Sequence, residues 1–180
     1  MRIVSGNLKG RRFSPPSNFK ARPTTDYAKE NLFNVLANRY NFEELKVLDL
    51  FSGTGSISFE FASRGCKNIT SLELNYNHYR FILRCIHDLH LQEYISCIKG
   101  DAFKYIEKSN DSFDLIFADP PFDLPKAEEI PSLIMNSRLL KKNGLLIMEH
   151  SDKKKYSEHT NFFENRDYGK VNFSFFQYGK

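Results

Sequence analysis

The feature that most constrains the fold is a regular alternation of short apolar runs and helical stretches from Leu45 onward. The apolar runs are rich in β-branched and aromatic residues, which favour strands. We expect strands over residues 46–51, 68–74, 95–99, 113–118 and 145–149. Between them we expect helices over 57–63, 75–89 and 126–139, the last interrupted near Pro131. Strands that alternate with helices predict a mostly parallel sheet with helices on both faces.

The C-terminal part of the chain predicts two further strands, over residues 162–166 and 171–178. They are joined near Gly169, which favours an antiparallel hairpin at the edge of the sheet. Together with the five strands before them, they predict an α/β fold with a seven-stranded sheet whose C-terminal strand is antiparallel.

The N-terminal part predicts smaller elements. Residues 2–4 and 11–13 flank two glycines and predict a small β-hairpin, and apolar residues on one face predict a helix over 26–37. We therefore divide the chain into an N-terminal hairpin-and-helix extension over 1–40 and a ligand-binding body over 41–180.

Composition excludes several classes of protein. The chain has 180 residues, of which 41% are hydrophobic, as expected for one globular core. We expect no membrane segment, because no apolar run approaches the roughly 18 residues that span a bilayer. The first residues lack the apolar stretch of a signal peptide, so we expect a cytoplasmic protein, and a monomer. Three cysteines without a paired spacing predict no metal site.

Charge is distributed unevenly along the chain. The net charge is only +4, yet no acidic residue precedes Asp26. Basic residues in this N-terminal arm (residues 1–25) are Arg2, Lys9, Arg11, Arg12, Lys20 and Arg22. A basic arm on a neutral body suits a polyanion such as a nucleic acid, because each phosphate contact releases counterions. A solvated, flexible N-terminus is the alternative interpretation.

A glycine-containing turn follows the first predicted strand. The segment Asp49–Gly55 reads DLFSGTG, where a nucleotide-like ligand usually binds in an open α/β sheet. A dinucleotide site would want a third glycine at the position of Ser58, so that fingerprint fails. Glu73 ends the second strand and is placed to accept the hydroxyls of a ribose. Asp101 follows the third strand and is placed to accept an adenine amino group, although such carboxylates also cap helices.

The most specific pattern is Asp119-Pro120-Pro121-Phe122 at the end of the fourth strand. An exocyclic base nitrogen is a poor nucleophile because its lone pair is delocalised into the ring. The Asp119 carboxylate and the Pro120 carbonyl can accept its N–H bonds and orient it. Pro121 stiffens the turn, and Phe122 offers a face on which an unpaired base can stack. The alternative is a rigid turn with a buried phenylalanine.

These motifs resemble those of class I methyltransferases, which have a Rossmann-like fold. The resemblance implies that S-adenosylmethionine binds at the strand ends, through Asp49, Phe51, Gly53, Gly55, Glu73, Asp101 and Ala102. The DPPF segment is similar to the Asp/Asn/Ser-Pro-Pro-aromatic motif of enzymes that methylate amino groups of adenine, cytosine, guanine or glutamine. It implies that Asp119, Pro120, Pro121 and Phe122 form the catalytic site, and it does not choose among those substrates.

The N-terminal segments narrow the choice. Residues 2–6, 9–11, 22–26 and 30–34, followed by DLFSGTG and DPPF, resemble the RsmD family over nearly the whole chain. The resemblance implies transfer of a methyl group to N2 of one guanine in 16S ribosomal RNA, free or in a small-subunit assembly intermediate. It also implies that the arm docks RNA, through Arg2, Lys9, Arg11, Arg12, Arg22, Thr24 and Thr25.

Two residues depart from the family pattern. Asp123 follows the DPPF turn where many members carry a basic residue, and Tyr27 replaces the usual arginine after Asp26. An acid at 123 repels phosphate, and Tyr27 can stack on a base but cannot neutralise charge. An N6-adenine methyltransferase acting on DNA or RNA, a glutamine methyltransferase and a nucleic-acid-binding module without catalysis stay as alternatives; an NAD-linked oxidoreductase fits worst.

Overall fold

The computed structural model describes residues 1–16, 19, 24–151 and 155–179. Its seven strands are β1 Lys46–Asp49, β2 Asn68–Glu73, β3 Ile95–Lys99, β4 Phe113–Ala118, β5 Leu140–His150, β6 Phe162–Tyr168 and β7 Val171–Phe176. Its α-helices are α1 Asp26–Ala37, α2 Ser56–Ser63, α3 Tyr76–Asp88, α4 Ala102–Lys108 and α5 Ile130–Met135. Short 3₁₀ helices cover Phe42–Glu44 and Ala127–Glu129.

All seven strands form one sheet, in the order β3-β2-β1-β4-β5-β7-β6. Strands β1 to β5 pair in parallel, while β7 lies antiparallel between β5 and β6. The chain moves from β1 outward to β3 and then returns to β4 on the other side of β1. Strand order thus reverses between β1 and β4, where open α/β sheets bind their ligands. The predicted fold class is confirmed.

The structure differs from the sequence prediction at three elements. Helix α4 was not predicted, because only seven residues form it and they carry no long apolar period. Pro131 does not interrupt a longer helix: it lies in the first turn of α5, where its missing N–H costs no hydrogen bond. Strand β5 begins at Leu140 instead of 145, and a register shift opposite residues 113–115 accommodates the additional residues.

The apolar core has two halves, one on each face of the sheet. Successive strand residues point to opposite faces, so Val47 belongs to one half and Leu48 to the other. Helices α1, α2 and α3 cover the first half, and α4 and α5 cover the second. Because both faces are covered, the ends of the parallel strands are the part of the sheet left to form a site.

The N-terminal arm is held against α2. Arg2 and Arg12 form a single antiparallel bridge, and the side chain of Ile3 is buried in the core. The backbone N–H groups of Val4 and Ser5 donate to the buried Glu60 carboxylate at 2.9 and 3.1 Å. The predicted hairpin is thus present in reduced form and packs on the body. The division of the chain at residue 40 stays a prediction.

A buried lysine joins the arm to the helices. Lys29 of α1 is 1% exposed, and its Nζ donates to the Arg2 carbonyl at 2.6 Å and to Ser56 Oγ at 3.1 Å. Burial lowers the pKa of Lys29, and the nearby Glu60 and Asp26 carboxylates oppose that shift. A buried charge needs such partners, so the arm, α1 and the start of α2 are fixed relative to one another.

Within the described ranges, no helix is both long and apolar enough to cross a membrane. The same residues include no group of three His, Cys, Asp or Glu side chains arranged to hold a metal ion.

Candidate active site

A crevice of about 1130 Å³ opens at the carboxyl ends of the parallel strands. This volume exceeds the roughly 300–1,000 Å³ of typical ligand pockets, so a nucleoside cofactor and a second ligand can share it. The residues predicted for cofactor binding and catalysis that line it are Asp49, Phe51, Gly53, Glu73, Asp101, Ala102, Asp119, Pro120, Pro121 and Phe122. The sequence thus identified both ends of one crevice, which we call the cofactor end (Asp49 to Ala102) and the acceptor end (Asp119 to Phe122).

Gly55 was predicted to bind the cofactor, but it does not line the crevice. Its φ of +76° is a left-handed value that glycine adopts without strain, and it starts α2 as the N-cap. A Cβ at this position would lie 2.8 Å from the Phe59 ring. The glycine is therefore required by the turn and by its packing, whereas Gly53, with φ +54°, lies on the crevice wall.

Glu73 holds the cofactor end together. Its Oε2 accepts from the N–H of Gly53 at 2.7 Å, and its Oε1 accepts from the N–H of Asn75 at 2.7 Å. These bonds fix the carboxylate across the glycine turn. Each carboxylate oxygen has two lone pairs, so Glu73 can still accept the hydroxyls of a ribose.

Asp101 has both positions that the sequence allowed, as a helix cap and as a carboxylate of the crevice. It is the N-cap of α4, and its Oδ1 accepts from the N–H of Lys104 at 2.9 Å. Its side chain also lines the crevice, together with Ala102 and Phe103. Capping therefore holds the carboxylate in place without removing its second oxygen from the site.

Asp49 lies on the floor of the crevice and is 1% exposed. Its Oδ2 accepts from Ser58 Oγ at 2.7 Å. Ser58 occupies the position where a dinucleotide fingerprint has its third glycine, and here it anchors the carboxylate instead. Burial raises the pKa of Asp49 to about 6, because desolvation disfavours its charged form.

The acceptor end begins directly after β4. The Asp119 carboxylate has no hydrogen-bond partner among the residues that the structure describes. Desolvation raises its pKa well above the ordinary value, and the charges of Glu149 and Asp49 add to the shift. An acceptor in a crevice with no donor of its own is placed to bind the N–H groups of a ligand.

Glu149, at the end of β5, is a site residue that sequence reasoning missed. Ala118 pairs with Met148 as the last pair of β4 and β5, so Asp119 and Glu149 are the residues that directly follow this pair. Glu149 lines the crevice, and burial raises its pKa to about 7. The available signal was a second strand-terminal carboxylate, but the pairing of β4 with β5 could not be read from sequence.

Thr24 was predicted to contact RNA on the surface of the arm. The structure places it inside the crevice, 7% exposed, with its hydroxyl donating to Glu149 Oε2 at 2.6 Å. Thr25 is exposed and caps α1 by accepting from the N–H of Ala28 at 3.2 Å. The segment before α1 therefore reaches the acceptor end itself.

Phe122 is 95% exposed at the mouth of the crevice. A rigid turn around a buried phenylalanine is therefore the wrong interpretation of the DPPF segment. An aromatic ring exposed to this extent offers a free face for stacking.

The arm presents exposed basic side chains at Lys9, Arg11 and Arg12. Arg2 is also exposed, but its Nε forms an ion pair with Asp26 at 2.8 Å, so part of its charge is already balanced. Arg22 and Lys20 lie outside the described residues. Contact of these side chains with RNA stays a prediction.

Two basic residues that were not predicted as site residues, Lys155 and Lys170, also line the crevice. The two residues that depart from the family pattern, Asp123 and Tyr27, are both exposed. Asp123 lines the crevice, and Tyr27 is 66% exposed. Asp49 and Glu73 are buried in the crevice, whereas the exposed Asp123, Lys155 and Lys170 contribute to its outer wall.

The carboxylate-rich floor restricts the ligand. Asp49, Glu73 and Asp101 would repel a pyrophosphate and favour a ligand with hydroxyls, amino groups and a positive charge. S-adenosylmethionine has all three, so the residues present fit it. Sheet order, glycine turn and acidic crevice define a class I, S-adenosylmethionine-dependent methyltransferase.

Comparison with known proteins identifies the family. The family model described as conserved hypothetical protein 95 matches residues 1–177, and the chain belongs to this family, the RsmD family of methyltransferases. The chain is 33% identical over 152 residues to ribosomal RNA small subunit methyltransferase D of Haemophilus influenzae, covering 83% of this chain and 78% of that protein.

A second named relative and a solved structure are also similar to most of the chain. The chain is 30% identical over 152 residues to the protein of the same name from Buchnera aphidicola subsp. Baizongia pistaciae, covering 84% of this chain and 76% of that one. The crystal structure of HI0767 from Haemophilus influenzae superposes with a TM-score of 0.79 at 29% identity, covering 98% and 97% of the two chains.

Proposed function

We propose that this protein transfers a methyl group from S-adenosylmethionine to the exocyclic N2 of a guanine in small-subunit (16S) ribosomal RNA. The observation that carries the proposal is the Asp119 carboxylate, which faces the crevice without a hydrogen-bond partner among the described residues. Three residues further along the same motif is Phe122, whose exposed ring lies at the mouth of the crevice. An acceptor beside a stacking surface is what a flipped base with an amino group requires.

Asp119 and Pro120 act on the target nitrogen. When the carboxylate of Asp119 and the carbonyl of Pro120 accept its two N–H bonds, the amino group is held with its lone pair, which projects from the face of the ring, directed at the methyl donor. The same acceptors stabilise the positive charge that develops on the nitrogen, since they are fixed before the base arrives. Asp119 can then take the proton that the methylated nitrogen loses.

The cofactor end holds the methyl donor. Glu73 would accept the ribose hydroxyls, Asp101 the adenine amino group, and the acidic floor would stabilise the positive sulfur. The bound cofactor supplies a methyl carbon on that sulfur, so that a nitrogen–carbon bond forms as the carbon–sulfur bond breaks. The closed floor formed by Asp49 and Ser58 keeps bulk water away from this end.

Ribosomal RNA as the substrate is supported by the relatives and by the arm. The H. influenzae and B. aphidicola relatives are named as methyltransferases of small-subunit ribosomal RNA. Lys9, Arg11 and Arg12 project from the arm, and Thr24 connects the arm to the acceptor end. Basic residues on a segment whose last part reaches the base-binding crevice suit a single strand whose phosphates run along that segment.

The test is methylation in vitro with radiolabelled S-adenosylmethionine, followed by mass spectrometry of nucleosides. Substrates are deproteinised 16S RNA and small-subunit particles from cells that lack the protein. We expect label in N2-methylguanosine and map it to one nucleotide. Label in N6-methyladenosine would contradict the proposal and favour the adenine alternative. A protein that binds RNA but does not bind S-adenosylmethionine would favour the nucleic-acid-binding module without catalysis.

A further inference from the structure

The carboxylate of Glu149 has no role in the mechanism above, although its position is tightly defined. It follows the pair Ala118 and Met148 on the β4–β5 ladder, which puts it beside Asp119 in the same crevice. Its Oε2 accepts from Thr24 Oγ1 at 2.6 Å, and no hydrogen bond to Oε1 is present in the described part of the chain. One oxygen is thus anchored, and the other accepts no hydrogen bond from any described residue.

Two adjacent acceptors distinguish bases by the hydrogen-bond donors that each base presents to them. Guanine presents two adjacent donors, the N2 amino group and N1–H. Adenine presents one donor, its N6 amino group, beside N1, which is an acceptor. An acceptor held opposite another acceptor leaves both unsatisfied and costs roughly 1–3 kcal/mol, whereas a matched donor is accepted. A site built to hydrogen-bond a donor therefore rejects an analogue that lacks it.

We propose that Glu149 selects guanine by accepting its N1–H, beside the contact of Asp119 with the N2 amino group. Thr24 is a positioning residue, because its hydroxyl holds Oε2 and leaves Oε1 for the base. This inference rests on the proposed function, since it names the group that makes guanine the preferred base. It also explains why a threonine of the RNA-docking arm lies inside the crevice.

The experiment compares two RNA fragments that differ at the mapped nucleotide, one with guanosine and one with 2-aminopurine. Both carry the same amino group at C2, but N1 of 2-aminopurine has no hydrogen and is an acceptor. We expect the native enzyme to prefer guanosine by about tenfold to a hundredfold in kcat/KM. Initial rates of methyl transfer to each fragment give the ratio.

The decisive variant is Glu149→Gln, which keeps size and shape. With its amide oxygen held by Thr24, the amide N–H₂ points to the base and matches N1 of 2-aminopurine while opposing N1–H of guanine. We expect the preference for guanosine to disappear or reverse. A ratio equal to that of the native enzyme would overturn the proposal, whatever happens to the absolute rates.

Two further variants separate selection from folding. Thr24→Val removes the anchoring hydroxyl and should reduce the preference by a smaller factor, about threefold to tenfold, with S-adenosylmethionine affinity unchanged. Glu107→Gln, on the exposed side of α4, is the matched control and should keep the native ratio. If Glu149→Gln did not fold, an unchanged ratio in Thr24→Val would overturn the inference.

The design distinguishes the two proposals. Absence of transfer from the native enzyme to the guanosine fragment would refute the proposed function, and this inference with it. Transfer to guanosine with a ratio that no variant changes would refute the role of Glu149 alone.

Discussion

The two ends of the crevice differ in how their carboxylates are satisfied. At the cofactor end, Glu73 accepts two backbone N–H groups and Asp49 accepts a serine hydroxyl. At the acceptor end, Asp119 has no hydrogen bond within the described residues, and Glu149 has one, from Thr24. The cofactor end is thus completed by the fold itself, whereas the acceptor end is completed by a ligand that brings its own donors.

The largest expected effect is at Asp119. Asp119→Ala should lower methyl transfer at least about 100- to 1,000-fold, because it removes an acceptor that acts on the reacting nitrogen. Affinity for S-adenosylmethionine should stay nearly unchanged, since the partner of Asp119 is the target amine. Calorimetry and single-turnover transfer measure the two separately. Transfer at the native rate would show that the acceptor end had been misassigned.

The matching change at the cofactor end is Glu73→Ala. It should weaken S-adenosylmethionine binding by about 1–3 kcal/mol, because a hydrogen-bonding carboxylate is lost and the turn at Gly53 loses its anchor. Isothermal titration calorimetry gives the affinity, and Glu107→Gln serves as the control. An unchanged affinity would contradict the assignment of Glu73 to the ribose hydroxyls. It would also contradict the difference proposed between the cofactor end and the acceptor end.

The pH dependence of kcat/KM is a third test of the difference between the cofactor end and the acceptor end. Asp119 and Glu149 accept N–H bonds most strongly when they are ionised, and burial raises the pKa of Glu149 to about 7. We therefore expect kcat/KM to rise with pH through neutrality, by up to about tenfold per unit below the pKa. Burial is the main cause of the raised pKa of Asp119, and Glu149→Gln removes the charge that adds most to it, so the rise should move to lower pH. Equal midpoints for both proteins would contradict this coupling.

Stacking should contribute less. Phe122→Ala removes an exposed ring, and we expect a loss near the lower end of the roughly 1–3 kcal/mol that one stacked base contributes. The loss should appear with RNA and leave cofactor affinity untouched. Phe122→Tyr is the matched variant that keeps the aromatic face. If the alanine variant bound and methylated RNA normally, the base would have to be held elsewhere.

The smallest effect concerns the arm, which lies outside both ends. Reversing Arg11 and Arg12 to glutamate should weaken RNA binding and flatten its dependence on salt, by about 0.7 in logarithmic slope for each lost phosphate contact on a single strand. Binding titrations at several salt concentrations give the slope. A slope identical to that of the native protein would indicate that Arg11 and Arg12 do not contact RNA and that the arm is a solvated segment.

The sequence predicted the cofactor end better than the acceptor end, for a physical reason. Asp49 and Glu73 end strands, Gly53 and Asp101 lie just beyond strands, and the carboxyl ends of parallel strands meet at one edge. Local pattern therefore suffices to bring them together. Phe122 and Asp119 were likewise predicted, because a double proline after an apolar run marks the end of a strand.

Glu149 and Thr24 depend on long-range geometry. Their contact joins positions 125 residues apart, through the pairing of β4 with β5 and the path of the chain before α1. No local pattern encodes such a contact. The missed helix α4 is different: Asp101 was weighed as a cap, but seven residues give too few turns to show an apolar period.

The way in which the arm is anchored has a consequence for engineering. Ile3 lies in the hydrophobic core, and the buried Lys29 and Glu60 both bind backbone groups of residues 2–5. Exchanging the first residues with those of another enzyme, in order to redirect it to a different RNA, would therefore also exchange part of the interior. Only surface positions of the arm, such as Lys9 to Arg12, should be exchanged, and residues 2–5 should be kept.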